Sequence, residues 1–348
     1  MTIANNTNIS NTNNDMSKND VINEVRSLLP QIGLHVLGTG HYVPGSPVSN
    51  SKLAEIVDTS DEWIVSRTGI RERFFCKGEN NLDIACEAAR QALQRAGISP
   101  QQIGVCLVAT FTPDHMSPSI ACQLQHELAM PNDTIVFDIN AACAGFLYAL
   151  QTAHKLLLAA PRRYALVLGS EVISRALDFT DRSTCVLFGD GAAAVVVELS
   201  AEHQYHSICG TRGDTQKLLY CSGPADEPAG DQPHTVHMNG PEVFRFAVSI
   251  IPQSINEVLD KAGLTLDDID YVVCHQANNR IIAHVVKNMK ARPEQFFINL
   301  QRYGNTSSAS IPIALDEMER QGLLQPGSKI VCVGFGAGFT WGACLLEW

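Results

Sequence analysis

A thiol, an imidazole and a carboxamide stand in this sequence where chain punctuation would open them to a cleft. Cys143 interrupts TIVFDINAACAGFLYALQTAHKLLLAA, which begins as a strand and continues as a helix with Phe146, Leu150, Ala153 and Leu157 three to four apart. A thiol at a helix N-terminus faces unpaired N–H groups and the positive end of the helix dipole, both of which favour the thiolate. Its neighbours Ala141, Ala142, Ala144 and Gly145 are small enough to admit a substrate. His275 ends the apolar run YVVCHQ, and a histidine at a strand's carboxyl end faces a cleft in open α/β sheets. Asn305 lies among the small polar residues of RYGNTSSASIP. A thiolate can accept an acyl group, and two neutral donors can stabilise an oxyanion or enolate, so the three types together point to acyl transfer. Singly, each has a plainer reading: a packed core cysteine, a hydrogen-bonded core histidine and a turn or N-cap asparagine.

Papain-like peptidases use the same three residue types, and His275 follows Cys143 by 132 residues, within their range. Cys143 nevertheless lies mid-chain without the local signature of a papain nucleophile, which ranks peptide hydrolysis low.

The elements that must hold these residues read as a duplication. Leu93, Ala96, Gly97 and Ile103 align with Leu259, Ala262, Gly263 and Ile269 at a constant offset of 166, each set reading helix, glycine cap, polar turn and strand. That offset, about half the folded length, is too long for a solenoid and fits two copies of one α/β unit. Apolar runs at 164–170, 192–199 and 329–336, bounded by glycine, predict strands buried on both faces. The ordered body begins near Gln31 with IGLHVLGTG as a short strand, and the halves meet near residues 200–235. Expected divisions are a disordered Asn-rich tail at 1–30, one half at 31–205 carrying the cysteine and one at 206–348 carrying the histidine and asparagine.

Composition excludes several classes. Of 348 residues, 45% are hydrophobic and 18% charged, too apolar for disorder, and no apolar run spans a membrane. Lys and Arg number 25 against 36 Asp and Glu, a net charge of −11, which argues against nucleic acid or anionic membrane as partner. Eleven cysteines without a Cys-x-x-Cys pair suit reduced thiols in the cytoplasm. The histidine pairs 203/206 and 234/237 lack metal-ligand partners and read as solvated. GFGAGF at 334–339 imitates a dinucleotide loop, but FTWGACLLEW after it reads as a strand, which excludes a Rossmann motif.

Five ordered motifs, DTSDEWIVSRTGIRER at 58–73, AACAGF, HQANNRII, YGNTSSASIP and GFGAGFTWG, together resemble β-ketoacyl-acyl carrier protein synthase III of the thiolase superfamily, from about Gln31 to Trp348. The resemblance implies an α/β fold of two duplicated halves stacked as α-β-α-β-α layers. It further implies a decarboxylative Claisen condensation that starts fatty acid synthesis. Cys143 would hold the acyl group from acyl-CoA. His275 and Asn305 would stabilise the enolate formed from malonyl-acyl carrier protein, and the N–H groups of Cys143 and Ala337 would form the oxyanion hole. Trp63, Arg67 and Arg182 match contacts to CoA, and Gly240 and Asn278 match pantetheine contacts. The stretch Gln276, Ala277, Asn278, Asn279 and Arg280 matches the carrier-protein contact. No cofactor is implied beyond these substrates, and the expected assembly is a homodimer. Since chain and carrier protein are both acidic, docking needs a local positive patch, and Arg280, Lys287, Lys290 and Arg292 are expected to cluster in the helix that follows His275.

Two positions depart from the family pattern. Ala337 replaces the middle of three glycines, tolerable unless that residue needs positive φ. Ser117 stands where relatives restricted to short acyl groups carry a bulky aromatic that caps the pocket across the dimer, so primers longer than acetyl are expected. The alternatives are a priming synthase of a polyketide or other secondary pathway and a catalytically silent partner of a heteromeric synthase. The intact trio Cys143, His275 and Asn305 argues against the silent partner.

Overall fold

The computed structural model describes residues 32–223, 226 and 234–348. The expected tail lies outside them, and the expected junction is described only in part. In chain order the strands are β1 (Gly33–Tyr42), β2 (Val48–Ser49), β3 (Glu72–Arg73), β4 (Ile103–Ala109), β5 (Ile135–Ile139), β6 (Tyr164–Glu171), β7 (Gly191–Ser200), β8 (Tyr205–Thr211), β9 (Leu219–Cys221), β10 (Val236–Met238), β11 (Tyr271–Cys274), β12 (Lys329–Gly336) and β13 (Thr340–Glu347). The helices are α1 (Asn50–Leu53), α2 (Asp61–Thr68), α3 (Asn81–Ala96), α4 (Ile120–Glu127), α5 (Gly145–Leu157), α6 (Gly240–Ala262), α7 (Asn279–Met289), α8 (Leu300–Tyr303) and α9 (Ser310–Arg320). Short 3₁₀ turns at Ala142–Ala144 and Ser307–Ala309 precede α5 and α9.

Two sheets carry the architecture, ordered β1-β7-β6-β4-β5 and β11-β12-β13-β8. In the first, β4 runs parallel to β5 and β6, while β7 pairs antiparallel with both β6 and β1. In the second, β11 and β12 are parallel and the other pairs antiparallel. All of β4 is buried, as is all but the last two residues of β7, so these strands have no solvent face and read as unbroken apolar runs.

Helices α3 and α4 cover the outer face of the first sheet, and α6 with α7 covers the outer face of the second. Between the sheets lie α5, touching β4 and β6 on one side and β8, β12 and β13 on the other, and α9, touching β1, β7 and β11. The sequence of α5 explains its place: it has no charged residue before Lys155, and Phe146, Leu147, Leu150, Ala153 and Leu157 are all buried. The layers therefore run α-β-α-β-α, and both middle helices point their N-termini at one region. The duplication is visible in the backbone. Gly97 and Gly263 both end helices at φ 67°, with N–H groups bonded to Gln94 and Leu93 in one copy and Asp260 and Leu259 in the other. A capped 3₁₀ turn and a parallel strand follow each. Only glycine takes this left-handed cap without strain, which is why the repeat survives there in sequence.

Asp316, fully buried in α9, ties the middle layer to the outer one. Thr39 Oγ1 donates to it at 2.8 Å and Arg320 Nε lies at 2.7 Å, with His41 and Arg95 also in contact. Burial raises this carboxyl, but the hydrogen bonds and charges of His41, Thr39 and Arg320 outweigh it and leave the group lowered. Among the described residues no helix is long and apolar enough to cross a membrane.

Candidate active site

Cys143 sits in the 3₁₀ turn between β5 and α5, half-buried, with its neighbour Ala142 at φ 46°. Left-handed backbone at a residue with a Cβ stores strain and persists where surrounding structure holds it. Contrary to the expectation from helix position alone, the thiol is not lowered. Burial pushes it up to about 12, the Ser307 hydroxyl works against that, and the carboxyl of Glu171 adds to the rise. Cys143 therefore rests as a thiol.

The six residues Asn305–Ser310 touch all three candidate catalytic groups. Ser307, also left-handed at φ 49°, has a buried hydroxyl without a hydrogen-bond partner, and this hydroxyl acts on the Cys143 thiol by opposing its rise. Its N–H donates to Asn305 Oδ1 at 2.9 Å, which occupies the carbonyl end of that side chain and leaves its NH₂ as donor. Asn305 is pinned by its own backbone, its N–H bonding to Leu187 O at 2.8 Å and its carbonyl accepting from Gly189 N–H at 3.0 Å. Ser310 Oγ lies 2.7 Å from His275 Nδ1 and accepts the Gln276 N–H at 3.4 Å. The tautomer in which Ser310 gives its hydrogen to Nδ1 leaves His275 presenting Nε2–H. Burial pushes the imidazole down to about 3, making it a neutral donor at every physiological pH. NMR titration of labelled histidines should find one imidazole, absent from His275→Gln, that stays neutral well below about pH 5. A His275 titration near the ordinary value of about 6.5 would contradict this assignment.

The end of β12 closes the site. His275 N–H bonds to Val333 O at 2.7 Å, and Phe335 meets the imidazole edge-on at 5.7 Å between centroids. Gly336 lies so close to the turn of Cys143 that a Cβ there would be 2.6 Å from Cys143 N. Ala337 follows in the turn to β13, and Thr340 Oγ1 is 3.0 Å from Ala337 O and 2.9 Å from Ala141 O, joining that turn to the one holding Cys143. Ala337 is not among the residues with positive φ; Gly338 is, at 133°. The alanine therefore occupies ordinary backbone, and the required glycine is the next residue.

The other candidates lie on neighbouring elements. In α2, capped by Ser60, both the Arg67 and Arg182 guanidiniums lie over the Trp63 ring, at 5.0 and 5.2 Å. The end of α2 abuts the start of α7, where a Cβ on Gly69 would meet Asn279 Cβ at 2.7 Å. Asn278 caps α7 through Arg280 N–H, and Gly240 opens α6 with free space around it. Asn279 and Arg280 are exposed and Ala277 is half-buried. Gln276 differs from the expectation of a docking contact: it is 1% exposed, its Nε2 donates to Cys274 O and Phe297 O, and its Oε1 accepts from Asn299 N–H and Leu300 N–H. Its amide braces the loop under the site and has nothing left for a partner. Lys287 is in α7, but Lys290 caps the helix in left-handed conformation and Arg292 lies beyond it, so the basic cluster is on a helix end and loop rather than one face. Ser117 is exposed in the loop before α4. The four histidines at 203, 206, 234 and 237 are half-buried rather than solvated, and among the described residues no group of three His, Cys, Asp or Glu could hold a metal. All eleven cysteines are free.

Sequence reasoning missed Ser307, Ser310 and Gly336 as individual groups. Their signal was present only as the small-residue runs of TSSAS and GFGAGF, because what they do depends on contacts from opposite ends of the chain.

The family model described as 3-oxoacyl-[acyl-carrier-protein (ACP)] synthase III matches residues 137–214, and its C-terminal counterpart matches 259–348. The chain is 46% identical over 321 residues to a β-ketoacyl-[acyl-carrier-protein] synthase III of Clostridium acetobutylicum, covering 90% of this chain and 98% of that one. It resembles the crystal structure of 3-oxoacyl-[acyl-carrier-protein] synthase III from Aquifex aeolicus, with TM-score 0.84, 41% identity, and 91% and 100% of the two chains covered. A priming β-ketosynthase of the R1128 polyketide pathway superposes with TM-score 0.85 at 35% identity, covering 90% and 96%.

Proposed function

The chain belongs to the β-ketoacyl-[acyl-carrier-protein] synthase III family of the thiolase superfamily, and from that premise we propose how its own residues carry the reaction. The family's chemistry is an acyl transfer followed by decarboxylative Claisen condensation with malonyl-acyl carrier protein, at the start of fatty acid synthesis. The observation that carries the assignment of residues is the segment Asn305–Ser310, which orders the thiol, the imidazole and the carboxamide at once.

In the first half-reaction the Cys143 sulfur attacks the acyl-CoA carbonyl, the C–S bond to CoA breaks, and the thiol proton ends on the departing CoA sulfur. In the second, malonyl-acyl carrier protein loses carbon dioxide. Its thioester oxygen, now carrying enolate charge, is held by His275 Nε2–H and the Asn305 NH₂. Neutral donors suit this task because they stabilise charge that develops without binding the substrate's own carboxylate tightly beforehand. The carbanion then attacks the acyl-Cys143 carbonyl, and the N–H groups of Cys143 and Ala337 hold the tetrahedral oxyanion until the thiolate leaves and is reprotonated.

Trp63, Arg67 and Arg182 would bind CoA by stacking and charge, Gly240 and Asn278 would contact pantetheine, and Asn279 and Arg280 would receive the carrier protein. The reaction needs acyl-CoA and malonyl-acyl carrier protein and no cofactor. Free thiols throughout agree with the cytoplasm. We take 31–205 and 206–348 as the two halves, the division falling at the start of β8, the first strand of the second sheet, after the first sheet ends at Ser200.

A homodimer would form on β5, whose outer edge is unpaired and carries Phe137 at 37% exposure. Asp138 in β5 accepts the N–H groups of Ile120 and Ala121 at 2.8 Å, which anchors the loop holding Ser117 to that same edge. Ser117 would thus border the partner's acyl pocket, and a serine leaves room there. Intact-mass analysis after incubation with acyl-CoAs of increasing length, with peptide mapping, should give one adduct on Cys143, larger for medium chains than for acetyl. Equal or greater labelling by acetyl-CoA would overturn the pocket reading, and no adduct from any donor would overturn the nucleophile. Priming a polyketide is the second reading, favoured by the likeness to the R1128 ketosynthase. It needs the same residues and a different donor.

A further inference from the structure

Glu171 ends β6 fully buried, and nothing in the condensation uses it. Its carboxyl is nevertheless tightly built in. Oε2 accepts from Thr110 Oγ1 at 3.2 Å, from Phe111 N–H at 3.2 Å and from Thr112 Oγ1 at 2.6 Å. The Thr112 hydroxyl already accepts from Val172 N–H, and the Thr110 hydroxyl from Asn81 and Thr112 N–H, so both hydrogens are directed at Glu171.

The other oxygen, Oε1, faces Ser308 Oγ at 2.9 Å, and Ser308 Oγ also lies 2.8 Å from Ala109 O. A serine hydroxyl has one hydrogen. If Ser308 spends it on Ala109 O, Oε1 can bond to Ser308 only by donating, which requires a carboxylic acid. An ionised Glu171 would leave one of two buried acceptor oxygens facing a lone pair, an arrangement that buried polar groups avoid. Among the described residues no Lys, Arg or His forms an ion pair with Glu171 to hold an anion. The titratable groups that face it are the thiols of Cys143 in the catalytic turn and Cys221 in β9, each of which a Glu171 charge would raise.

Ser308 is in turn clamped at the site. A Cβ on Gly169 in β6 would meet its carbonyl oxygen at 2.3 Å, and one on Gly145, at the start of α5, would meet its Cβ at 3.5 Å. Its neighbour Ser307 opposes the rise of the Cys143 thiol.

We propose that Glu171 is protonated in the working enzyme and is a positioning residue for the nucleophile: its O–H fixes Ser308 and the turn beside Cys143, and loss of that proton to solvent suppresses the thiolate. Burial raises this carboxyl to about 7, partly opposed by the hydrogen bonds shared with Thr112, Ser308, Phe111 and Thr110, which places the change near neutrality. The kinetic half of the proposal rests on Cys143 as nucleophile; the protonation half does not.

Glu171→Gln mimics the acid, since its NH₂ can donate to Ser308 and its carbonyl can accept the three donors. Alkylation of Cys143 by iodoacetamide, read by peptide mass spectrometry, should proceed at equal rates in wild type and Glu171→Gln below about pH 6 and roughly threefold to tenfold faster in the variant at about pH 8.5. A rate ratio that is constant with pH, or a folded variant that is slower at low pH, overturns the proposal. Infrared spectra of the wild type should show a buried protonated-carboxyl band that persists above the range of ordinary carboxyls, about pH 4.5, and titrates away near neutrality. Absence of that band overturns the proposal even if the variant does not fold. Because alkylation and the infrared band need no acyl-CoA, failure here is distinct from failure to form an acyl adduct on Cys143.

Discussion

With alanine in place of Cys143, condensation should fall by at least about a thousandfold, while release of carbon dioxide from malonyl-acyl carrier protein remains measurable. The two halves of the reaction draw on different groups. Acyl transfer needs the sulfur, whereas enolate stabilisation needs only the His275 Nε2–H and the Asn305 NH₂, whose orientations come from Ser310 Oγ and Ser307 N–H. Removing the sulfur touches neither of those hydrogen bonds. Nor should it disturb the fold by more than about 1 kcal/mol, because Cys143 is half-buried between alanines and its side chain loses only one atom. Parallel assays of β-ketoacyl product and of carbon dioxide, with a thermal melt as control, check the result. Retained condensation would place the nucleophile elsewhere, and loss of decarboxylation from a folded variant would mean that the thiol takes part in the second step.

The second large effect is expected at a residue with no side chain. Gly336→Ala would set a methyl 2.6 Å from Cys143 N, 3.1 Å from Ala142 Cβ and 3.2 Å from Cys143 Cβ. The first of these is backbone and cannot swing aside, so the turn of Cys143 and the turn of Ala337 must separate. Their two N–H groups would then no longer converge on one oxygen, and loss of such a donor costs roughly a hundredfold to a thousandfold in kcat. KM for acyl-CoA should change little, since Trp63, Arg67 and Arg182 belong to other elements. A stability loss of about 1–3 kcal/mol should accompany the strain. Gly78→Ala, where nothing lies within 4 Å, supplies the neutral control. Steady-state kinetics and thermal denaturation of the two variants test this, and an unchanged kcat in Gly336→Ala would remove the oxyanion role from that turn.

What could be read from sequence and what could not divides along one line. The repeat was legible because Gly97 and Gly263 answer a local demand for left-handed backbone, and the buried strands were legible because a strand without a solvent face has no polar alternation. Cys143 was legible as a strand-to-helix junction. Its protonation state was not: helix position favours the thiolate, but the protein around the sulfur dominates, and burial cannot be read from neighbours in sequence. Gln276 went the same way. It sits in the motif expected to dock the carrier protein, yet its amide is spent on Cys274 and on Phe297, Asn299 and Leu300, the last three more than twenty residues away beyond α7. The serines of 307–310 carry their roles only because the chain returns them to the start of α5 and the end of β11.

The placement of α5 has a consequence for how the protein comes into being on the ribosome. The first sheet is complete once residue 200 has emerged, because β7 supplies the partner that β1 awaits. At that moment α5 has β4 and β6 on one side, but β8, β12 and β13, which cover its other side, are still unmade or inside the exit tunnel. Cys143 at its head then lacks Ser307, Gly336 and every donor that would act with it. A nascent chain thus carries the proposed nucleophile without the groups proposed to act with it, and these come together only when β13, ending at Glu347, is laid against β12 and β8. Synthesis itself acts as the safety catch: an incomplete chain exposes apolar surface and is open to degradation, but it cannot acylate itself productively or divert malonyl groups.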